Sequence, residues 1–257
     1  MYKVVLIGAG NLATSLGHAL KKAGHQVVQV WSRTQESASV LASALQAEAL
    51  TDVECIVKDA DVYVFALKDS ALESIAQQVC PPRSGGVFLH TAGSMPMTLF
   101  SPYASHFGVF YPMQTFSKSR VLDFSEIPVF VEASDEVAET VVTAMAESIS
   151  EHVTHLCSAD RKYLHLAAVF ACNFANHCYA LSERLLQEHG LPFDVMLPLI
   201  DETARKVHHL SPVKAQTGPA VRYDENVIGH QMELLAHDAD MQQIYDILSK
   251  NIHKLHQ

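Results

Sequence analysis

The run Val4-Val5-Leu6-Ile7 is apolar throughout and ends in Gly8-Ala9-Gly10-Asn11-Leu12-Ala13, after which an amphipathic stretch begins. A short continuous apolar run reads as a strand buried on both faces, and the spacing beyond residue 11 reads as a helix. A strand passing through G-x-G-x-x-A directly into a helix leaves few folds open. Gly8 permits a tight turn. Gly10 has no side chain, so another molecule can reach the backbone. Ala13 is small enough for the helix to pack close on the strand. The unpaired N–H groups of the first helical turn carry a partial positive charge. A pyrophosphate suits that arrangement, so Gly8, Ala9, Gly10, Asn11, Leu12 and Ala13 are expected to cradle a dinucleotide.

The pattern then repeats. Strands are expected at 26–31, 48–50, 61–67, 86–90, 107–111, 129–132 and 153–156, with helices over 11–23, 35–46, 70–79 and 135–149. Strands alternating with helices imply a doubly wound, mainly parallel sheet, the Rossmann arrangement. Beyond Ser158 no strand pattern remains. A long helical pattern runs over 159–189 and stops at Gly190-Leu191-Pro192, and further helices follow at 193–209, 225–236 and 239–255. The expected division is therefore a dinucleotide-binding domain over 1–157 and an all-helical domain over 158–257.

The turn after the second strand tells the two nicotinamide dinucleotides apart. NAD enzymes place a carboxylate there for the ribose 2′-hydroxyl, whereas an arginine suits a 2′-phosphate. Here the strand ends in Trp31-Ser32-Arg33-Thr34, with no acid. Arg33 can fork onto phosphate, and Ser32 and Thr34 can donate hydrogen bonds. Ala66, Leu67 and Lys68 end the fourth strand beside the same place, with Lys68 as a second cation. The expected cofactor is NADP(H).

Composition narrows the partners. The net charge of −10 and the lack of any basic run longer than Lys21-Lys22 argue against nucleic acid. No apolar segment reaches the roughly 18 residues of a membrane span. The apolar start carries the turn motif, so it is read as strand rather than as a leader peptide. Cys55, Cys80, Cys157, Cys172 and Cys178 form no C-x-x-C and read as free thiols in a reducing cytoplasm. The histidines show no metal spacing: His152 and His155 fall on opposite faces of a strand, and His208 and His209 diverge on a helix. No metal is expected.

Ligands in such sheets lie beyond the carboxyl ends of the strands. Two ends carry many groups able to bond a substrate: Leu89-His90-Thr91-Ala92-Gly93-Ser94 and Phe110-Tyr111-Pro112-Met113-Gln114-Thr115-Phe116-Ser117. His90 and Ser94 are expected to border the nicotinamide, although a histidine there can instead cap the backbone. On the long helix, a step of 100° per residue places Lys162, His165, Asn173 and Asn176 within about 80° of one another. The opposite arc of Ala167, Phe170, Ala171, Phe174, Cys178 and Leu181 is expected to be core. Solvated faces are more often Glu and Lys. The polar stripe therefore reads as a pocket wall, with Lys162 or His165 able to supply a proton and Asn173 able to orient the substrate or the nicotinamide amide. Helix packing or a dimer contact would use the same stripe. In Gln216-Thr217-Gly218-Pro219-Ala220-Val221-Arg222-Tyr223-Asp224 a breaker-rich connection offers Thr217, Arg222 and Asp224 to a substrate, or holds Arg222 and Asp224 as a surface ion pair.

Together these pieces resemble a known group. The segments Ile7–Ala13, Trp31–Thr34, His90–Ser94 and Tyr111–Phe116 are similar to the NADP-binding domain shared by pyrroline-5-carboxylate reductase and deazaflavin-dependent NADP reductases. Lys162-Tyr163-Leu164-His165, Ala168–Asn173 and Thr217–Arg222 resemble a bacterial family of Rossmann-like proteins whose helical C-terminal domain has no assigned function and is similar to that of 6-phosphogluconate dehydrogenase. The resemblance implies an NADPH-dependent oxidoreductase reducing a C=N or C=O bond of a small, carboxylate-bearing metabolite. The β-hydroxyacid dehydrogenases place a lysine four residues before an asparagine on this helix, where this chain has Val169 before Asn173. The alternatives are a hydroxyacid dehydrogenase and a sensor that binds NADP without turnover. The long apolar helix also points to a homodimer through the helical domain.

Overall fold

The computed structural model describes residues 1–83 and 85–257. Eight strands and four helices make up the first part: β1 (Lys3–Ile7), α1 (Asn11–Lys22), β2 (Gln26–Trp31), α2 (Gln35–Leu45), β3 (Glu48–Leu50), β4 (Val62–Phe65), α3 (Asp69–Val79), β5 (Val87–His90), β6 (His106–Pro112), β7 (Val129–Ala133), α4 (Glu136–Glu147) and β8 (Val153–His155). The strands form one sheet in the order β3-β2-β1-β4-β5-β6-β7-β8. Neighbours run parallel except β6 and β7, which pair antiparallel with Phe110 opposite Val131. The chain winds outward from β1 to β3, then crosses to β4 and winds the other way. The carboxyl ends of β1 and β4 therefore flank the switch point where such sheets bind ligands.

Successive side chains of β1 enter different cores. Val4 and Leu6 pack with Leu16, Leu41 and Val142, whereas Val5 and Ile7 pack with Leu72, Ala76 and Phe100. Both faces of the sheet are covered, which is why Val4–Ile7 of β1 and all of β4 are apolar in succession and not at alternate positions. Each side chain so buried contributes about 1.5–3 kcal/mol before entropy is counted.

The remaining elements are helical: α5 (Ser158–Ala168), a π-helical segment (Val169–Phe174), α6 (Ala175–Glu188), α7 (Leu197–Lys206), α8 (Pro212–Ala215), α9 (Glu225–Leu234) and α10 (Ala239–Lys254). Two differences from the sequence reading stand out. The helix expected over 193–209 starts with a 3₁₀ turn (Phe193–Met196) and becomes α-helical at Leu197. The compact units divide at Asn173 and not at residue 157. The reason lies in α5. Arg161, 1% exposed, donates to Glu132 Oε2 on β7 (2.6 Å) and to the Met95 carbonyl (2.6 Å), and Ser158 donates to Glu132 as well. These bonds tie α5 to the sheet.

The arc of the long helix expected to be core is not buried in this chain. Phe170 is 64% and Phe174 50% exposed, and Ala167, Ala171 and Cys178 are exposed too. The π turn has more residues per revolution than an α turn, so the 100° step that defined the arc ends at Val169.

Candidate functional site

The first site is the turn after β1. Gly8 has φ +119°, and a Cβ there would stand 2.2 Å from the Ala66 carbonyl oxygen, so only glycine lets β1 and β4 converge at this point. Its N–H donates to the Trp31 carbonyl (2.8 Å), which joins the turn to the end of β2. Gly10 is the N-cap of α1, is exposed, and makes no side-chain cap bond. A Cβ on Gly10 would meet nothing within 4 Å. The first turn of α1 thus keeps its amides unclaimed by side chains and opens onto free space, while Ala13 is fully buried in the core beneath it. These are the features a pyrophosphate needs.

A cavity of about 320 Å³ continues from this turn. It is lined by Gly8, Ala9, Gly10, Ser32, Arg33, Thr34, Ala66, Leu67 and Lys68, joined by Trp31, Ser37 and Lys118. Asn11 and Leu12 stand beside it in the first turn of α1. Three cations and no carboxylate line it. Trp31 is held flat at its floor by a bond from Nε1 to the Thr51 carbonyl (3.0 Å). An exposed arginine and two hydroxyls after β2, with Lys68 and Lys118 from other loops, suit a dianionic phosphate on a ribose, so the lining fits NADP. Lys118 was not among the residues read from the sequence. It lies beyond β6, in the loop that carries Thr115 and Ser117, and only the tertiary fold brings it back to β2.

A second cavity, about 520 Å³, opens where β6 ends. Tyr111, Met113, Gln114, Thr115, Leu164, His165, Val169, Cys172 and Asn173 are in its wall. Because β6 runs parallel to β5 and β4, its carboxyl end lies on the same edge of the sheet as the first cavity. Tyr111, 7% exposed, meets His165 with Oη 3.1 Å from Nδ1, and the two rings pack edge to face at 6.0 Å. Gly93 makes room for them. A Cβ there would come within 2.6 Å of His165 Nδ1 and 2.9 Å of Tyr111 Cζ. Burial pushes the Tyr111 phenol above its ordinary pKa, and the nearby Arg161 charge opposes the rise.

The four residues expected to do chemistry separate into two groups. His165 and Asn173 line one cavity. His90 does not reach it: the ring is wholly buried, its Nδ1 accepts from the Ala92 amide (3.2 Å), and burial together with the Arg161 charge brings its pKa to about 4. The buried imidazole is thereby tied to the backbone of the loop that follows β5. Ser94 is exposed and donates to the Asp69 carboxylate at the start of α3. Lys162 is exposed, with its ammonium over the Tyr163 ring. Asn176 falls in the second compact unit, as does the Thr217–Asp224 connection, where Arg222 pairs with Asp224 at 3.8 Å. Tyr111, Gly93 and the Arg161–Glu132 pair were not singled out from the sequence as functional positions, although Tyr111 stands in the polar strand end read there.

The fold has counterparts among known proteins. Residues 3–89 match the family model described as NADP oxidoreductase coenzyme F420-dependent, and residues 127–252 match a domain of unknown function. The crystal structure of BF3122 from Bacteroides fragilis, named as an NADP oxidoreductase, is 53% identical over 98% of each chain, with a TM-score of 0.95. The chain belongs to the NADP oxidoreductase family. More distant structures share the fold. Protein TM1727 from Thermotoga maritima is 22% identical over 98% of each chain (TM-score 0.71). The imine reductase from Myxococcus stipitatus, in complex with NADP+, is 17% identical over 98% of this chain and 93% of its own (TM-score 0.68). No curated protein sequence matches. The oxidoreductase's expected coenzyme, NADP, agrees with its family and with the cations around its first cavity. Among the described residues no helix is long and apolar enough to cross a membrane.

Proposed function

We propose that the protein is an NADPH-dependent reductase of a C=N or C=O bond in a small metabolite. The observation that carries this reading is the second cavity: it lies on the same sheet edge as the cofactor cradle and is apolar except for Tyr111, His165, Asn173, Gln114 and Thr115. The bound cofactor supplies a hydride. The chain has to hold the acceptor carbon near it, exclude water and provide one proton. Asn173 and Gln114 are suited to orient the acceptor, and Leu164, Ala168 and Val169 to keep it dry. The Val169 side chain cannot move a proton, so the wall does not support alcohol oxidation through a lysine on this helix. Among the described residues no lysine or arginine lines this cavity, so a substrate carboxylate would have to find its cation elsewhere. The five unpaired thiols suit a reducing cytoplasm.

A homodimer through the helical unit is part of the same proposal. Within residues 174–257 only Ile228, Leu235, Met241 and Ser249 are buried, while Leu191, Val195, Leu199, Leu234, Ile247 and Leu255 are each more than half exposed. Helices with so little core of their own are stabilised by burying that surface on another copy.

Fluorescence titration with NADPH, followed by absorbance assays against cyclic imines, keto acids and an oxidised deazaflavin, tests the reading. Oxidation of NADPH by an imine or carbonyl compound supports it. Tight NADPH binding with no turnover across the panel replaces it with a cofactor sensor, and oxidation by the deazaflavin alone replaces the substrate class. Sedimentation at micromolar concentration should give twice the 28.2 kDa chain mass; a monomer removes the dimer.

A further inference from the structure

Reducing a neutral C=N bond leaves a proton to be supplied. Hydride and its electron pair form the new C–H bond, the π pair moves onto nitrogen, and nitrogen must then take H⁺. Several nearby groups are poorly placed to give it. His90 is buried and neutral beneath the loop, and Ser94 is turned to Asp69. The Asn173 and Gln114 amides hold their protons too tightly to act as acids at neutral pH. Tyr111 is different. It stands at the carboxyl end of β6, on the sheet edge that also carries the β1–β4 turn, and it lines the second cavity. Its ring is confined by Phe130, His165 and Gly93, so its hydroxyl has one place to be.

We propose that the Tyr111 hydroxyl is the proton donor of the reduction and that His165 holds and recharges it. This rests on the reductase reading above. His165 Nδ1–H donates to Tyr111 Oη, which leaves the phenolic proton free for the substrate. As that proton passes to nitrogen, the developing phenolate keeps the imidazole hydrogen bond. It then regains a proton through His165, which is half-buried and can be resupplied from water at its other nitrogen. Gly93 belongs to the device because no larger residue leaves the two rings in contact. Burial, which raises the phenol's pKa, keeps it protonated between turnovers.

The test uses the full-length protein, its Tyr111→Phe variant and its His165→Asn variant. Three quantities are measured: NADPH affinity, kcat and KM for 2-methyl-1-pyrroline, and the ¹⁵N resonances of the histidine rings without cofactor. Tyr111→Phe should leave NADPH affinity within about threefold and KM little changed while lowering kcat by about 10²-fold or more, the range of a lost general acid. His165→Asn should lower kcat less, because water can partly recharge the phenol. The His165 Nδ1 resonance should move in Tyr111→Phe. A Tyr111→Phe variant that binds NADPH and keeps more than a third of the wild-type kcat overturns Tyr111 as donor and leaves the reductase reading standing. An unmoved Nδ1 resonance overturns the pairing. A wild-type protein that binds NADPH yet reduces neither imine nor carbonyl overturns both.

Discussion

Coenzyme selectivity follows from the lining of the first cavity. Arg33, Lys68 and Lys118 stand around its outer end, and the pyrophosphate cradle at Gly8–Ala13 is made of main chain. If Arg33 meets the 2′-phosphate as proposed, removing it leaves the cradle intact and takes away a contact that NADPH would make and NADH would not. A charge-assisted hydrogen bond contributes about 1.5–3 kcal/mol. Arg33 is exposed, which places it at the low end, and about 1.4 kcal/mol is a factor of ten in affinity. Arg33→Ala should weaken NADPH about tenfold, and Arg33→Ala with Lys118→Ala by up to about 100-fold. The pair should fall short of strict additivity, because both cations meet one phosphate. NADH affinity should stay within about threefold in each variant. Calorimetric titration of both coenzymes at low and high salt decides the matter, and the NADPH loss should shrink as salt screens the exposed charges. Equal weakening of NADPH and NADH would refute the reasoning, since it would mean that Arg33 supports the fold of the cradle and not a phosphate. Arg33→Asp adds a sharper version: a carboxylate at this turn should bring NADH binding above NADPH binding.

Three further outcomes are expected. Arg161→Met should cost about 3 kcal/mol or more in urea unfolding, the range for breaking a buried ion pair, and Arg161→Met with Glu132→Leu should recover much of it; equal losses in single and double variants would show that the pair is not the cause. Gly93→Ala should push His165 off Tyr111 and lower turnover about 10- to 100-fold at unchanged NADPH affinity, and unaltered turnover would place the two rings elsewhere. Partial burial opposes ionisation of Asp135, yet hydrogen bonds from Ser134, the Ala138 and Val137 amides and His106 bring its pKa down to about 2. A carboxyl depressed on folding stabilises above its ordinary pKa and loses that contribution as pH falls. Asp135→Ala should cost about 1 kcal/mol as a lost cap of α4 at neutral pH and little at pH 2; a cost that persists at pH 2 would contradict it.

What could be read from the residues was local. β1 and β4 are short, mostly apolar runs, the first ending at Gly8, and their buried environment on both faces leaves no competing pattern, so strand positions and the Gly8 turn were legible. So was the absence of an acid after Trp31. Lys118 was not, because a cation far along the chain acquires meaning only when the loop beyond β6 folds back to β2. His90 shows a different limit. A histidine at the end of a central strand reads as a ligand contact or as a backbone cap, and only the tertiary structure shows the Ala92 amide bond and the complete burial that support the cap. The long helix was misread for a reason internal to it. A fixed angular step assumes one helical geometry, and the π turn from Val169 to Phe174 breaks it next to the cavity. Such turns are common at functional sites because an extra residue redirects side chains without ending the helix. His165 lies before the turn and Asn173 within it, yet both face the same cavity. A regular helix would also set them on one face, so the polar stripe was legible where the apolar arc opposite it was not.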